Sequence, residues 1–186
     1  MSQLVFFLEE PSAREMLKGL LPRLIPEDIQ VQYIVFEGKQ DLEKRLPKRL
    51  RAWQQPDTVF VVLRDQDSGV CTDVKAALVE KCRQAGREDV LVRIACRELE
   101  SFYLGDLVAV ERAFCIRNLS RQQEKTKYRS PDRLGSPHQE LKRLVSSYQK
   151  VAGSRSMGPH LSLDQNHSHS FNALISGVRR LLGIQA

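Results

Sequence analysis

Hydrophobic residues fall along the chain in two rhythms. Leu4-Val-Phe-Phe-Leu8, Val59-Phe-Val-Val-Leu63 and Val90-Leu-Val-Arg-Ile-Ala-Cys96 are short and nearly unbroken. Such runs fit strands buried on both faces, as at the centre of a parallel sheet. Val31-Gln-Tyr-Ile-Val-Phe36 supplies a fourth strand. Between them, apolar residues recur at spacings of three and four: Met16, Leu17, Leu20, Leu21 and Leu24; then Leu42, Leu46, Leu50 and Trp53; then Val74, Leu78, Val79 and Cys82. Each set predicts one buried helix face. Pro11 or Ser12 opens the first helix, Pro22 ends or kinks it, and Pro26 stops it. The second helix spans about 40–53, with a kink expected at Pro47, and the third spans about 72–85, stopped by Gly86. Strands and helices alternating four times predict an α/β fold: a central, mainly parallel four-stranded sheet with helices on its faces.

After about Phe114 the rhythm changes. A polar, basic stretch to Pro137 reads as loop, broken by Ser130-Pro131 and Ser136-Pro137. A helix is expected from about His138 to Val151, a Ser-, Gly- and His-rich loop from Gly153 to His169, and an amphipathic helix from Ser170 to Leu182. The reading is therefore an α/β core over 1–114 and a helical C-terminal extension over 115–186 packed on it.

The chemistry collects where the strands end. Val59–Leu63 runs on into Arg64-Asp65-Gln66-Asp67-Ser68-Gly69. In open α/β sheets ligands bind beyond the carboxyl ends of the strands. Two carboxylates placed there can share a hard cation, although a lone pair also serves as a polar turn. Repetition changes the picture. The first strand ends in Glu9-Glu10, the second in Glu37, and the fourth runs into Arg97-Glu98-Leu99-Glu100. Glu98 and Glu100 would also complement a helix dipole. Acids at all four strand ends stand out in a chain of net charge +6. Clustered carboxylates repel and raise one another's pKa unless a cation joins them. The expectation is one or two Mg²⁺ or Mn²⁺ ions held among Glu9, Asp65, Asp67, Glu98 and Glu100.

Basic residues crowd the segment beside those acids: Lys39, Lys44, Arg45, Lys48 and Arg49. A metal with neighbouring cations suits phosphodiester chemistry, the metal polarising the phosphoryl group and the cations holding a nucleic-acid backbone. An ordinary solvated helix face is the other reading of that segment. Several classes are excluded or disfavoured. No apolar run is long enough for a membrane span, and the first residues lack the basic region of a signal peptide. Four cysteines without CxxC spacing read as reduced thiols in a cytoplasmic protein. Gly38-Lys39 lacks the upstream glycine of a phosphate-binding loop, and there is no GxGxxG. His167-x-His169 has no further ligand nearby in sequence and reads as a solvated segment. Tyr103 reads as packing.

At this point a family resemblance enters. Leu8-Glu-Glu-Pro-Ser12, Phe36-Glu-Gly-Lys-Gln-Asp-Leu42, Val62-Leu-Arg-Asp-Gln-Asp67, Arg97-Glu-Leu-Glu-Ser-Phe-Tyr-Leu-Gly-Asp106 and the closing Ser170-Phe171 to Leu181 resemble, in that order, a family of small stand-alone Toprim-like proteins. These are related to the Toprim domains of topoisomerases, primases and OLD-type nucleases. The resemblance implies a Toprim-like sheet, Mg²⁺ at Asp65 and Asp67, and Glu9 as general acid/base. It also implies a nuclease partnered with an ABC- or OLD-type ATPase, with a role in phage defence. Glu10 stands where that family usually has Gly, which bears on how closely backbone can approach there. Tyr103 has no separate domain from which to act in strand passage. A haloacid-dehalogenase-like phosphatase would carry its nucleophilic Asp on the first strand, and a receiver domain would need a Lys after a late strand. The rival from another class is a Toprim-derived module that regulates an ATPase without catalysis.

Overall fold

Leu4–Leu8 offers no polar face to water, and the chain buries it completely. In the computed structural model, which describes residues 3–184, β1 (Gln3–Leu8) is an inner strand of a four-stranded sheet. Its neighbours are β2 (Gln30–Val35) and β3 (Thr58–Asp65), and β4 (Leu91–Ala95) lies beyond β3. The order is β2-β1-β3-β4 and every pairing is parallel. β2 carries Gln30 and Gln32 outward, as an edge strand can.

Successive side chains of a strand point to opposite faces, and the core divides accordingly. Leu4, Phe6, Leu8, Val61 and Leu63 face one layer of helices; Val5, Phe7, Phe60, Val62, Val92 and Ile94 face the other. The second layer is α2 (Lys39–Arg51) and α3 (Cys71–Gln84), which bury Leu42, Leu46, Leu50, Leu78 and Cys82. The first layer holds α1 (Pro11–Leu20), α4 (Glu100–Leu104), α5 (Leu107–Phe114) and the chain beyond. Leu119, Tyr128, Leu141, Tyr148, Met157, Phe171, Leu174 and Val178 join the same core as β1 and α1. Among the described residues no helix is long and apolar enough to cross a membrane.

Several expected boundaries move. α2 continues through Pro47 to Arg51 with its three leucines on one buried face, and α1 gives way at Pro22 to a single 3₁₀ turn over Leu21–Arg23. The stretch read as loop before Pro137 contains a short α6 (Thr126–Arg129) between two 3₁₀ turns. The helix expected over 138–151 is two: α7 (Pro137–Leu144) and α8 (Lys150–Met157), and α8 occupies part of the expected loop. α9 (His169–Leu182) closes the described chain, with Ser168 Oγ accepting from the Phe171 N–H at 3.1 Å.

The glycines that suggested a loop after 151 instead permit close packing. A Cβ on Gly153 would lie 2.3 Å from the Tyr148 ring, and one on Gly158 would lie 2.3 Å from the Met16 carbonyl oxygen of α1. On the α1 side, a Cβ on Gly19 would meet Pro159 Cδ at 2.5 Å. α1 and α8 therefore touch backbone to backbone.

Candidate active site

The strand order puts a topological switch point between β1 and β3: the chain leaves β1 for β2 on one side and enters β3 on the other. The crevice beyond the carboxyl ends of that pair is where ligands bind in such sheets. Glu9 follows β1 and Asp65 ends β3, so both stand at that crevice. The Asp65 backbone N–H donates to Glu9 Oε2 at 3.1 Å, and Arg64 Nε lies 3.8 Å from the same oxygen. Arg64 also pairs with Glu43 of α2. Burial, the charge of Asp67 and, more weakly, that of Glu10 raise the Glu9 carboxyl pKa, against the opposing pull of the Asp65 amide and Arg64.

Asp65 is buried, and no hydrogen bond to its side-chain oxygens occurs among the described residues. Desolvation first, then Glu10, Glu100 and Glu9, push its carboxyl well above the usual range, with Lys150 opposing. Glu10 has extended backbone, φ −151°, which any residue adopts, so a side chain here causes no strain where the Toprim pattern has Gly. Lys150, the first residue of α8, places Nζ 2.5 Å from Glu10 Oε1. Burial alone would lower the Lys150 pKa, but Glu10, Glu100 and Asp65 overcome it and raise it.

The acids after β4 engage the C-terminal part of the chain. Glu98 Oε2 accepts the His138 backbone N–H at 2.7 Å, at the start of α7, where a carboxylate complements the helix dipole. Glu100 is fully buried; its Oε1 accepts from Tyr148 OH at 2.9 Å and sits 2.9 Å from His138 Nδ1. Glu100 Oε2 has no hydrogen-bond partner among the described residues. Tyr103 is buried with its OH donating to Ser154 Oγ at 2.7 Å.

Asp67 stands apart from this inner group. It turns the chain with φ 57°, its N–H donates to the Arg97 carbonyl at 2.9 Å, and its carboxylate pairs with Lys39 Nζ at 3.0 Å. Lys39, Asp67, Ser68, Arg97, Glu98 and Gly135 line a cleft of about 360 Å³. Cys96, next in sequence to Arg97, has its Sγ 3.8 Å from Cys71 Sγ. Glu37 points to solvent.

Of the expected metal ligands, Glu9 and Asp65 are brought together, Glu100 lies behind them, and Asp67 and Glu98 line the outer cleft. Among the described residues no three His, Cys, Asp or Glu side chains form a ready-made metal-holding group. The inner acids nevertheless suit a cation in one respect: Asp65 is under-compensated, and Glu100 keeps an orphaned oxygen. Of the basic segment, Lys39 reaches the acids. Lys44, Arg45, Lys48 and Arg49 are exposed along α2, Arg45 being paired with Asp41 at 3.1 Å. Lys48 and Arg49 lie roughly 14 Å along the helix from Lys39, at 1.5 Å per residue.

Lys150, Tyr148 and His138 were invisible to sequence reasoning as site residues. They come from beyond residue 137, far in sequence from the strand ends, and no local pattern marks them.

Fold and site together define an α/β protein with a parallel sheet and a carboxylate-rich switch point. A family model for a domain of unknown function, DUF4276, matches residues 8–179, and the chain belongs to that family. No curated protein and no solved structure matches it.

Proposed function

We propose that this protein is a Mg²⁺-dependent, Toprim-type nuclease that acts on phosphodiester bonds of DNA or RNA in the cytoplasm. Its partner on this reading is an ABC- or OLD-type ATPase, in a phage-defence-like system. The observation that carries the reading is the Glu9–Asp65 pair at the switch point. Both carboxyls are pushed up in pKa by burial and by neighbouring acids, which is costly for folding and useful for binding a cation.

Glu9 and Asp65 would hold the ion, with Asp67 joining them on release from Lys39, and Glu100 offering its free oxygen behind. Bound Mg²⁺ would supply charge neutralisation at the phosphoryl group and an activated water. Glu9, with its pKa raised by burial and by Asp67, suits a general acid/base. Lys39 and the exposed cations of α2 suit the nucleic-acid backbone.

The test is cleavage of labelled single- and double-stranded DNA and RNA by the isolated protein, with Mg²⁺, with Mn²⁺ and with chelator. Cleavage that needs the metal and is lost in Asp65→Ala supports the reading. A specific observation favours a second one. Lys39 on Asp67 and Lys150 on Glu10 already neutralise part of the acidic edge, as a non-catalytic module regulating an ATPase would do. Absence of cleavage both alone and with the partner ATPase would favour that module.

A further inference from the structure

One large cavity shares no residue with the acidic edge. About 860 Å³ in volume, it opens between Arg23, the start of α5 and the 160–167 segment. We propose that this cavity binds a phosphate monoester of a small molecule, by recognition of its phosphate. This inference is independent of the nuclease reading.

The argument is an account of which polar groups are already engaged. Asp106 uses both carboxylate oxygens on backbone: Oδ1 accepts the Ala109 N–H at 2.9 Å and Oδ2 the Ser162 N–H at 2.7 Å. Asn166 is spent as well, donating to the Phe102 carbonyl at 2.9 Å and accepting the Ser168 N–H at 2.8 Å. Gln123 accepts from the Leu107 N–H and donates to the Leu104 and Tyr128 carbonyls. Asp164 pairs outward with Arg179 at 2.9 Å. Asp106, Asn166 and Gln123 are therefore occupied, while Asp164 keeps one carboxylate oxygen and Gln165 its amide; the wall's geometry is fixed, since a Cβ on Gly105 would lie 2.1 Å from Asn166 Oδ1.

The donors are in the opposite state. Arg23 spends only Nη2, on the Gly158 and Leu161 carbonyls at 2.9 and 2.8 Å. Arg112, His160 and His167 line the same cavity, and no side-chain hydrogen bond or ion pair involves them among the described residues. A cavity with spare guanidinium and imidazole donors and engaged carboxylates attracts an anion, and planar guanidinium groups match phosphate oxygens in pairs. The volume is in the range of small-molecule sites. A metal is the weaker occupant for these histidines. Among the described residues no three metal-ligating side chains group together, and His169 opens α9 outside the cavity lining.

The probes are AMP, adenosine and inorganic phosphate, titrated calorimetrically into the full-length protein. Saturable AMP binding is expected, with adenosine at least about tenfold weaker and phosphate competing with AMP. Arg112→Ala and Arg112→Glu should each weaken AMP binding at least about tenfold while leaving the melting temperature unchanged, because Arg112 is exposed and unpaired. Asp65→Asn should leave AMP binding intact. No saturable binding of AMP, adenosine binding as well as AMP, or AMP affinity unchanged in both Arg112 variants would each overturn the proposal. So would equal loss in Asp65→Asn, which would place AMP at the acidic edge. A melting temperature lowered in both Arg112 variants would give Arg112 a structural role; the adenosine and phosphate comparisons in the unmodified protein then decide.

Discussion

Glu9 reaches from the end of β1 to β3 and takes the backbone N–H of Asp65 on its Oε2 at 3.1 Å. One acid of the pair thereby positions the backbone of the other, and neither can move away without breaking that bond. Burial and the surrounding acids nonetheless disfavour the charged form of both.

The contribution of this pair to stability should therefore fall as pH rises. Glu9 and Asp65 have folded pKa values above their unfolded ones, so from about pH 4 upward the native state binds more protons than the unfolded state. The cost of ionising them is absent below the unfolded pKa and fully present above the folded one. Asp65→Asn removes the larger part. Thermal unfolding from pH 4.5 to 8 should show the variant more stable at pH 8, by about 3–6 °C, with the gap closing toward pH 4.5. A variant less stable at pH 8 would mean that Lys150 fully compensates the charge.

Divalent metal should act on the same pair. Millimolar Mg²⁺ or Mn²⁺ is expected to raise the melting temperature of the wild type, because an ion bound only by the native state stabilises it. Asp65→Asn should abolish the rise. An equal rise in both proteins would place the ion elsewhere.

The sheet was largely legible in the sequence because its inner strands are buried on both faces, and continuous apolar runs such as Leu4–Leu8 leave little alternative. The position of Glu9 and Asp65 followed from the same runs. Two things were illegible. α8 hides its packing in Gly153, Ser154 and Gly158, residues chosen for close approach rather than for an apolar stripe. The pairing of Glu98 and Glu100 depends on His138 and Tyr148, whose proximity exists only in the folded chain.

The exposed cations of α2 give a salt-dependent prediction. If Lys48 and Arg49 contact phosphates, binding to duplex DNA should weaken with salt at a log–log slope of about −0.9 per contact. Replacing both by Glu should flatten the slope and weaken binding alike across sequences, with folding almost unaffected. An unchanged slope would mark α2 as a solvated face.

Cys71 and Cys96 are close enough to be joined by a modest shift, their Sγ atoms being 3.8 Å apart. Burial, Asp132 and Cys71 push the Cys96 thiol up to about 12, which disfavours Cys96 as the first thiol to attack. With oxidised glutathione, Cys71 displaces one glutathione; Cys96 then displaces the second, so two thiols lose two protons and two electrons pass to glutathione. Peptide mapping should find a Cys71–Cys96 disulfide reversed by dithiothreitol. Mixed disulfides alone would show the two loops too rigid to close.

The contact between Gly158 and Met16 has a reach beyond packing. α8 begins at Lys150, roughly 12 Å along the helix from Gly158 at 1.5 Å per residue, so the spacing of two helix backbones at one end governs how far the ammonium at the other projects toward Glu10. Gly158→Ala would force those backbones apart, costing about 1–3 kcal/mol. It should also strengthen the Mg²⁺-induced rise in melting temperature, because a retracted Lys150 leaves more negative charge unmet. An unchanged metal response in a destabilised variant would show that Lys150 follows Glu10 by its own flexibility. The charge at the acidic edge is in this sense calibrated by a steric gauge: how near two main chains can lie, rather than any charged residue, sets how much of it remains for a ligand.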